Sequence, residues 1–504
     1  MIGLTTGLNF LSGGGAPVSG GGITVPDDPA DPGGGDPGPG PGPSPAALPL
    51  AVTSRWHPGF STVTLDGNRV ATATDLIGLA DVSSGAGEGP KQMTDAAGQV
   101  FWRFDGDAFL TVASDLILSS RDMAVFMVGR FHRIGVTCDV FSLGSAAAAT
   151  ASNANGAALL ARRSSQGMPL LQGFSKPSTT SYPSPETMVT GSQMQVVGMV
   201  GRGDADGGTT LWVNDVSLGT QQPLNRPDVA GAEIGRYAFD PGIVGNWGTF
   251  DLYEMVVCDY RLTDPEGDSL SAALMSAYGI PSITDQLVLE GDSIMQGTGD
   301  VTAALSAGMI LTEPGAAHIG PSWRVVNLAV SGSRITSMVT RRDAVLSWPD
   351  MQVTGGQNVL AFEIGRNDMS PSFATTPTEL RDAVVDYLTD PFGVTTNSVL
   401  DRGWDVRMLA NIASSVDFEA DIASYRSLIR DPSFATAIGA QATQISVIDT
   451  DLITVGGDTV FADAADAGDV TYYAGDSTHP SIAGAVVRAT GGDHPSRGIA
   501  AGLI

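Results

Sequence analysis

The chain has 504 residues, 42% of them hydrophobic, with a mean hydropathy of +0.10. That is too long for one hydrophobic core and predicts two or three folded domains. Its 54 acidic residues against 26 basic ones, a net charge of -28, exclude nucleic acid and anionic membrane as partners held through phosphate contacts.

The amino terminus opens with a short apolar tag, Ile2, Leu4, Leu8, Phe10 and Leu11. No basic stretch precedes it and Gly and Thr interrupt it, so it does not read as a secretory signal. Gly and Pro punctuated by Asp and Ser follow, from Gly13 to about Ala46. Such a segment buries no core and its PGPGPGP part is extended, which makes it a tether. An anchoring tag on a tether and a tail without a task both fit residues 1–47. No later run is apolar for long enough to span a bilayer.

Residues 48–281 read as short strands separated by turns. VFWRFDGDAFLTV alternates around Asp105-Gly106, MAVFMVGRF is a buried strand, and LWVNDVSLG is a hairpin about Asn214-Asp215. Asp204 to Thr209, DADGGT, begins like a calcium loop, but Gly208 stands where a ligand is needed and Asp215 replaces the closing Glu, so a hairpin turn is expected. Two cysteines, Cys138 and Cys258, cannot hold a metal alone; a disulfide and two buried thiols are both open. Many short strands at regular spacing predict a β jelly-roll sandwich. The hairpins and the closing DLYEMVVCDYRLTDPEGDSLSAALMSAYGI resemble the laminin-G-like, concanavalin-type lectin fold, which implies a glycan-binding or spacing domain.

Residues 285–504 alternate strands (LVLEGDS, WRVVNLAVSGSRI, NVLAFEIGRNDM, WDVRMLANIA, ISVIDTDLI) with helical stretches such as PTELRDAVVDYLTD. This is the pattern of βαβ units, whose ligands gather at the carboxyl ends of the strands.

Gly-Asp-Ser occurs three times: around Ser269, Ser293 and Ser477. Thr263, Pro265 and Glu266 make a helix start, so Ser269 is expected in the first turns of a helix. Ser293 follows Leu287-Val288-Leu289 at the end of a strand, where Gly291 permits a tight turn. A serine needs a base, and the base an orienting group. Of five histidines, His57 and His132 lie in the strand-rich segment, His318 in an interior loop and His494 in the tail beside Asp493. His479, in DSTHP, has Asp476 three residues ahead to bond its ring. Gly332 can offer a backbone N–H and Asn367 an amide; each could equally be a turn residue.

The order GDSI, the Gly of AVSGS, GRND and DSTHP resembles the SGNH hydrolases, also called the GDSL esterase family, across residues 285–504. The resemblance implies a flavodoxin-like α/β/α fold, Ser293 as nucleophile, His479 as base, Asp476 as its orienter, and Ser293, Gly332 and Asn367 as the oxyanion hole, with no metal or cofactor. It departs from the family at Ile294, where Leu is usual. Joined to a lectin-like domain, it implies an esterase that removes acyl groups, foremost O-acetyl, from an extracellular polysaccharide. The missing signal and the amino-terminal tag add a second reading, a fibre or spike of a phage or phage-like particle, extracellular or virion-associated. A non-catalytic glycan-binding virion protein and a lipase or thioesterase are the alternatives. Expected partners are a glycan, particle proteins through the amino terminus, and a further copy of the chain.

Overall fold

The computed structural model describes residues 45–503, except 46, 79, 96, 106–107, 114–121, 132–137, 145–155, 164–168, 177–181, 189–193, 203–208, 221–230, 236–248, 297–318, 321, 347–350, 392–396, 415–417 and 475. The amino-terminal tag and nearly all of the tether, Gly106, all of DADGGT but Thr209, His132, His318 and Gly475 therefore lie outside the described residues. Pro41–Ile504 forms one compact unit.

Seventeen strands between Ser54 and Cys258 join in one antiparallel hydrogen-bonded network. Its spine is the ten-residue strand Thr249–Cys258. This strand pairs with Ser54–Trp56 (Ser54 opposite Val257), with Val100–Asp105 (Thr249 opposite Asp105) and with Met123–Phe131 (Cys258 opposite Ala124). Gly231–Ile234 bridges Leu110–Val112 and Cys138–Gly144 in the same way.

Side chains alternate across each strand. Along Met123–Phe131, Val125 and Met127 enter a core with Trp56, Trp102, Phe104 and Phe250. Ala124, Phe126 and Val128 face the other way, onto Trp212, Tyr253 and the helix Asp264–Tyr278 through Leu270 and Leu274. The helix starts on a capping box in which Thr263 and Glu266 bond each other's backbone N–H, and it ends at left-handed Gly279. Cys258 carries a free, buried thiol.

A second sheet of five parallel strands begins at Asp285. Its order is Trp323–Asn327, Asp285–Gly291, Asn358–Glu363, Asp405–Leu409, Ile445–Ile448. Val288, Leu360, Phe362 and Val406 point into a core closed by helices Ile335–Arg341, Pro377–Thr389, Glu419–Arg430 and Pro432–Ile438. Leu287, Leu289, Val359 and Ala361 point to the opposite face, met by Met295 and by Ile499 and Leu503 of the short helix Ile499–Leu503.

The expected fold class is corrected. The strands through Cys258 are not the two separate layers of a jelly-roll sandwich. Strands such as Thr249–Cys258 and Gly231–Ile234 pair with several others and fuse the layers into one network. Hairpins and a closing strand and helix, on which the lectin-like resemblance rested, recur on unrelated antiparallel sheets. The five-stranded sheet is unevenly covered among the described residues, with four helices on one face and short segments on the other, which is not the evenly layered flavodoxin-like α/β/α sandwich that was expected.

Candidate functional site

Ser293 stands just past the strand Asp285–Gly291 and opens the short helix Ser293–Gln296. The turn needs glycine at 291. Its φ is +133°, and a Cβ there would lie 2.2 Å from the Glu363 carbonyl oxygen of the neighbouring strand. Asp292 folds back so that its Oδ1 accepts the Ile294 N–H at 3.0 Å. Ser293 is 8% exposed.

His479 lies 186 residues away in sequence, and its Nε2 is 2.7 Å from Ser293 Oγ. Its Nδ1 is 2.5 Å from Asp476 Oδ2. A carboxylate only accepts, so Nδ1 carries the proton and the Nε2 lone pair faces the serine hydroxyl. Asp476 Oδ1 accepts the N–H groups of Thr478 and His479, each at 3.0 Å. Partial burial raises the Asp476 carboxyl, but these backbone N–H groups and the imidazole outweigh it and hold it below the usual range. The loop is closed at its base by the Ala474 N–H on the His479 carbonyl, 2.8 Å. Ser481 anchors it by capping the helix Ile482–Thr490 and donating to the Thr471 carbonyl.

Gly332 and Asn367 follow the strands on either side of the Ser293 strand, so all three loops leave adjacent carboxyl ends of the sheet. Gly332 has φ +76° and is exposed. Asn367 donates from Nδ2 to the Ser333 carbonyl at 3.0 Å, which ties the Asn367 loop to the Gly332 loop. Asp368 accepts the Ile335 N–H and ties them again.

Several residues of this region were not singled out from the sequence. Arg341 donates from Nε to Glu290 Oε1 at 2.5 Å, from Nη1 to Ser333 Oγ at 2.9 Å, and from Nη2 to the Gly291 carbonyl at 3.3 Å. It thus fastens the nucleophile turn to the Gly332 loop. Arg488, on the helix after the His479 loop, donates to Glu363, and Arg366 donates to the carbonyls of Ile412 and Ala413. Burial pushes Asp292 up to about 7, with Glu363 adding to it and the Ile294 N–H, Arg366 and Arg488 opposing. Burial likewise pushes Glu290 up to about 7 against the pull of Arg341. The available signal was an acid at the end of an apolar run, LVLEGD and LAFEIG. A buried carboxylate demands a cation or a proton.

The other candidates lie elsewhere. Ser269 is exposed on its helix and bonds the Pro265 carbonyl at 2.7 Å. The remaining letters of that GDSL serve packing. Gly267 sits against Trp212, where a Cβ would come within 2.5 Å of the ring, and Asp268 accepts the Trp212 indole N–H at 2.9 Å. Ser477 is the left-handed residue of the Asp476–His479 turn, φ +53°. His57 is buried within the antiparallel network; burial, and then Arg55, lower it to about 4. His494 is exposed in the tail. Among the described residues no group of three or more His, Cys, Asp and Glu side chains could hold a metal ion, and no helix is long and apolar enough to cross a membrane.

No protein-family model and no curated protein matches the chain. Similar solved structures include a variant of the NanB sialidase from Streptococcus pneumoniae, 16% identical over 33% of this chain and 27% of that one, TM-score 0.28. A Trypanosoma rangeli sialidase with difluorosialic acid is 13% identical over 45% of this chain and 33% of that one, TM-score 0.30. The chain spans about a third or less of the length of these structures.

These findings correct the expected family. No model of the SGNH hydrolases or of the laminin-G-like lectins matches. Short glycine-centred motifs at strand ends recur on unrelated sheets, so four of them in order were too little to carry a family name. The SGNH and lectin assignments are withdrawn. With them go the carboxylic ester hydrolase and O-acetylesterase activity, the lipase or thioesterase alternative, and the phage fibre and virion readings in both their catalytic and structural forms.

Proposed function

We propose that Ser293, His479 and Asp476 form a nucleophilic triad and that the protein is a hydrolase working through a covalent Ser293 intermediate. The observation that supports this most is the continuous contact from Asp476 Oδ2 through the His479 ring to Ser293 Oγ, 2.5 Å and 2.7 Å long. Ser293 Oγ attacks an electrophilic centre of the substrate while His479 Nε2 takes its proton. Asp476 steadies the imidazolium that forms. The N–H groups of Ser293 and Gly332 and the side-chain amide of Asn367 receive the oxygen on which negative charge builds. His479 then returns the proton to the leaving group, and water, activated by the same imidazole, releases Ser293.

A glycan as carrier of the scissile group, acted on outside the cell, belongs to the same proposal, and a glycan array probed with the full-length Ser293→Ala protein reads it out. The division into residues 1–47, 48–281 and 285–504 is proposed as well; limited proteolysis should cut between Ile280 and Asp285 before it cuts within either sheet. The triad itself is tested by intact-mass measurement after exposure to a fluorophosphonate. One adduct per chain is expected, and none on Ser293→Ala. An unmodified wild-type protein would overturn the reading.

A further inference from the structure

Arg334 and Phe373 form a pair on the two loops that follow the strands either side of the Ser293 strand. We propose that it binds a sugar residue carrying a carboxylate. This rests on the triad reading and names the substrate class of the same site.

Arg334 is two residues beyond Gly332, and Phe373 six beyond Asn367. The Asn367 amide on the Ser333 carbonyl locks their two loops together. The Arg334 guanidinium lies 4.0 Å from the centre of the Phe373 ring. Among the described residues it makes no hydrogen bond or ion pair. The charge that it does feel, Asp368, spends its carboxylate on the Ile335 N–H. Elsewhere in this domain, Arg341, Arg366, Arg426, Arg430 and Arg488 are each engaged with acids or carbonyls.

Phe373 is held outward on purpose-built backbone. It is 51% exposed. Its N–H and that of Ala374 both reach the Ser370 carbonyl, and Ala374 takes the left-handed conformation, φ +50°, without being glycine. Strain of this kind persists where the surroundings impose it, and it concentrates at binding sites.

The chemistry of the pair selects the ligand. A guanidinium whose carbon stands 4.0 Å over a ring contacts it without using an N–H acceptor, and the planar fork of an arginine grips a carboxylate with two parallel hydrogen bonds. The free part of the Phe373 ring offers an apolar surface to the C–H face of a pyranose. On a chain of net charge -28, an acidic ligand is repelled at long range, so a cation with no hydrogen-bonded acid on these loops sets where such a ligand can dock.

The test is calorimetric titration of full-length Ser293→Ala protein with digalacturonate, with sialyllactose and with neutral lactose, while fluorophosphonate labelling of the wild type is measured in parallel. One or both acids should bind and lactose should not; which acid binds identifies the hexuronate or the nonulosonate as the source of the carboxylate. Adding Arg334→Gln should weaken binding about 10- to 100-fold, the worth of a charge-assisted bidentate bond. Adding Arg334→Lys keeps the charge, loses the fork and should fall between. Phe373→Ala should weaken binding about 3- to 10-fold. Lactose binding as well as the acids, no acid binding, or unchanged affinity in Arg334→Gln would overturn the assignment. Labelling separates the two claims: a labelled Ser293 with no acid binding removes the recognition pair alone, whereas an unlabelled Ser293 removes the triad.

Discussion

Replacing Arg341 by Met probes the clamp beneath the site. Arg341 is 5% exposed and Glu290 fully buried. Met fills most of the same volume, so the loss is electrostatic more than a cavity. Three hydrogen bonds go, to Glu290, Ser333 and Gly291. Stranding one member of a buried ion pair costs about 3–5 kcal/mol. Glu290 has an escape, because burial already lifts it to about 7, and losing the guanidinium lifts it further. Near pH 5 it is protonated in the folded variant, and the cost shrinks to the missing hydrogen bonds, roughly 1–3 kcal/mol. As pH rises past about 7 the wild type releases this proton and stops losing stability through Glu290, while the variant goes on losing it. With a urea slope of about 2 kcal/mol/M, the unfolding midpoint should drop by roughly 0.5–1.5 M near pH 5 and by about 0.7 M more near pH 8, because one proton over the pH unit past 7 is worth about 1.4 kcal/mol. Circular dichroism of urea unfolding at both pH values reads this directly. The double variant Arg341→Met/Glu290→Gln should recover most of the loss at the higher pH. Equal shifts at the two pH values, or a double variant no better than the single one, would refute the clamp.

Other expectations follow from the same geometry. The Asp292 carboxyl, raised to about 7, keeps a proton in the folded chain that the unfolded chain releases from about pH 4, so its contribution to stability declines between about 4 and 7. The melting temperature of Asp292→Asn should therefore fall less than that of wild type from pH 5 to pH 8; parallel curves would count against this. Gly291→Ala forces a Cβ onto the Glu363 carbonyl at φ +133° and should destabilise by at least about 2 kcal/mol, read by thermal unfolding. Asp476→Asn removes the acceptor that fixes the His479 tautomer and should slow fluorophosphonate labelling by about 10³-fold or more, with the melting temperature little changed.

What the sequence disclosed was local. The Asp264–Tyr278 helix was readable because its capping box spans three residues, Thr263 to Glu266, and the Asp476–His479 contact because it closes one turn. The pairings of the antiparallel network were not readable. Alternation along Met123–Phe131 says which residues share a face but not that Ala124 lies opposite Cys258, so separate layers were expected where the strands fuse. The 2.7 Å contact between Ser293 and His479 was expected from a resemblance, and no local rule could supply it across 186 residues. Arg341, Arg366 and Arg488 were passed over because an arginine's partners are visible only once the chain is folded. The GDSL spelling at Gly267 shows the opposite hazard, since its letters serve the seat of a helix on Trp212.

The central claim is that Ser293 is activated by His479. Peptide mapping of the fluorophosphonate adduct in wild type, His479→Gln, Ser269→Ala and Ser477→Ala tests it most directly. The account predicts the adduct on Ser293, formed at least about 10³-fold more slowly in His479→Gln and at undiminished rate in the two serine variants. An adduct on another residue, or one on Ser293 that forms as fast without His479, would contradict it.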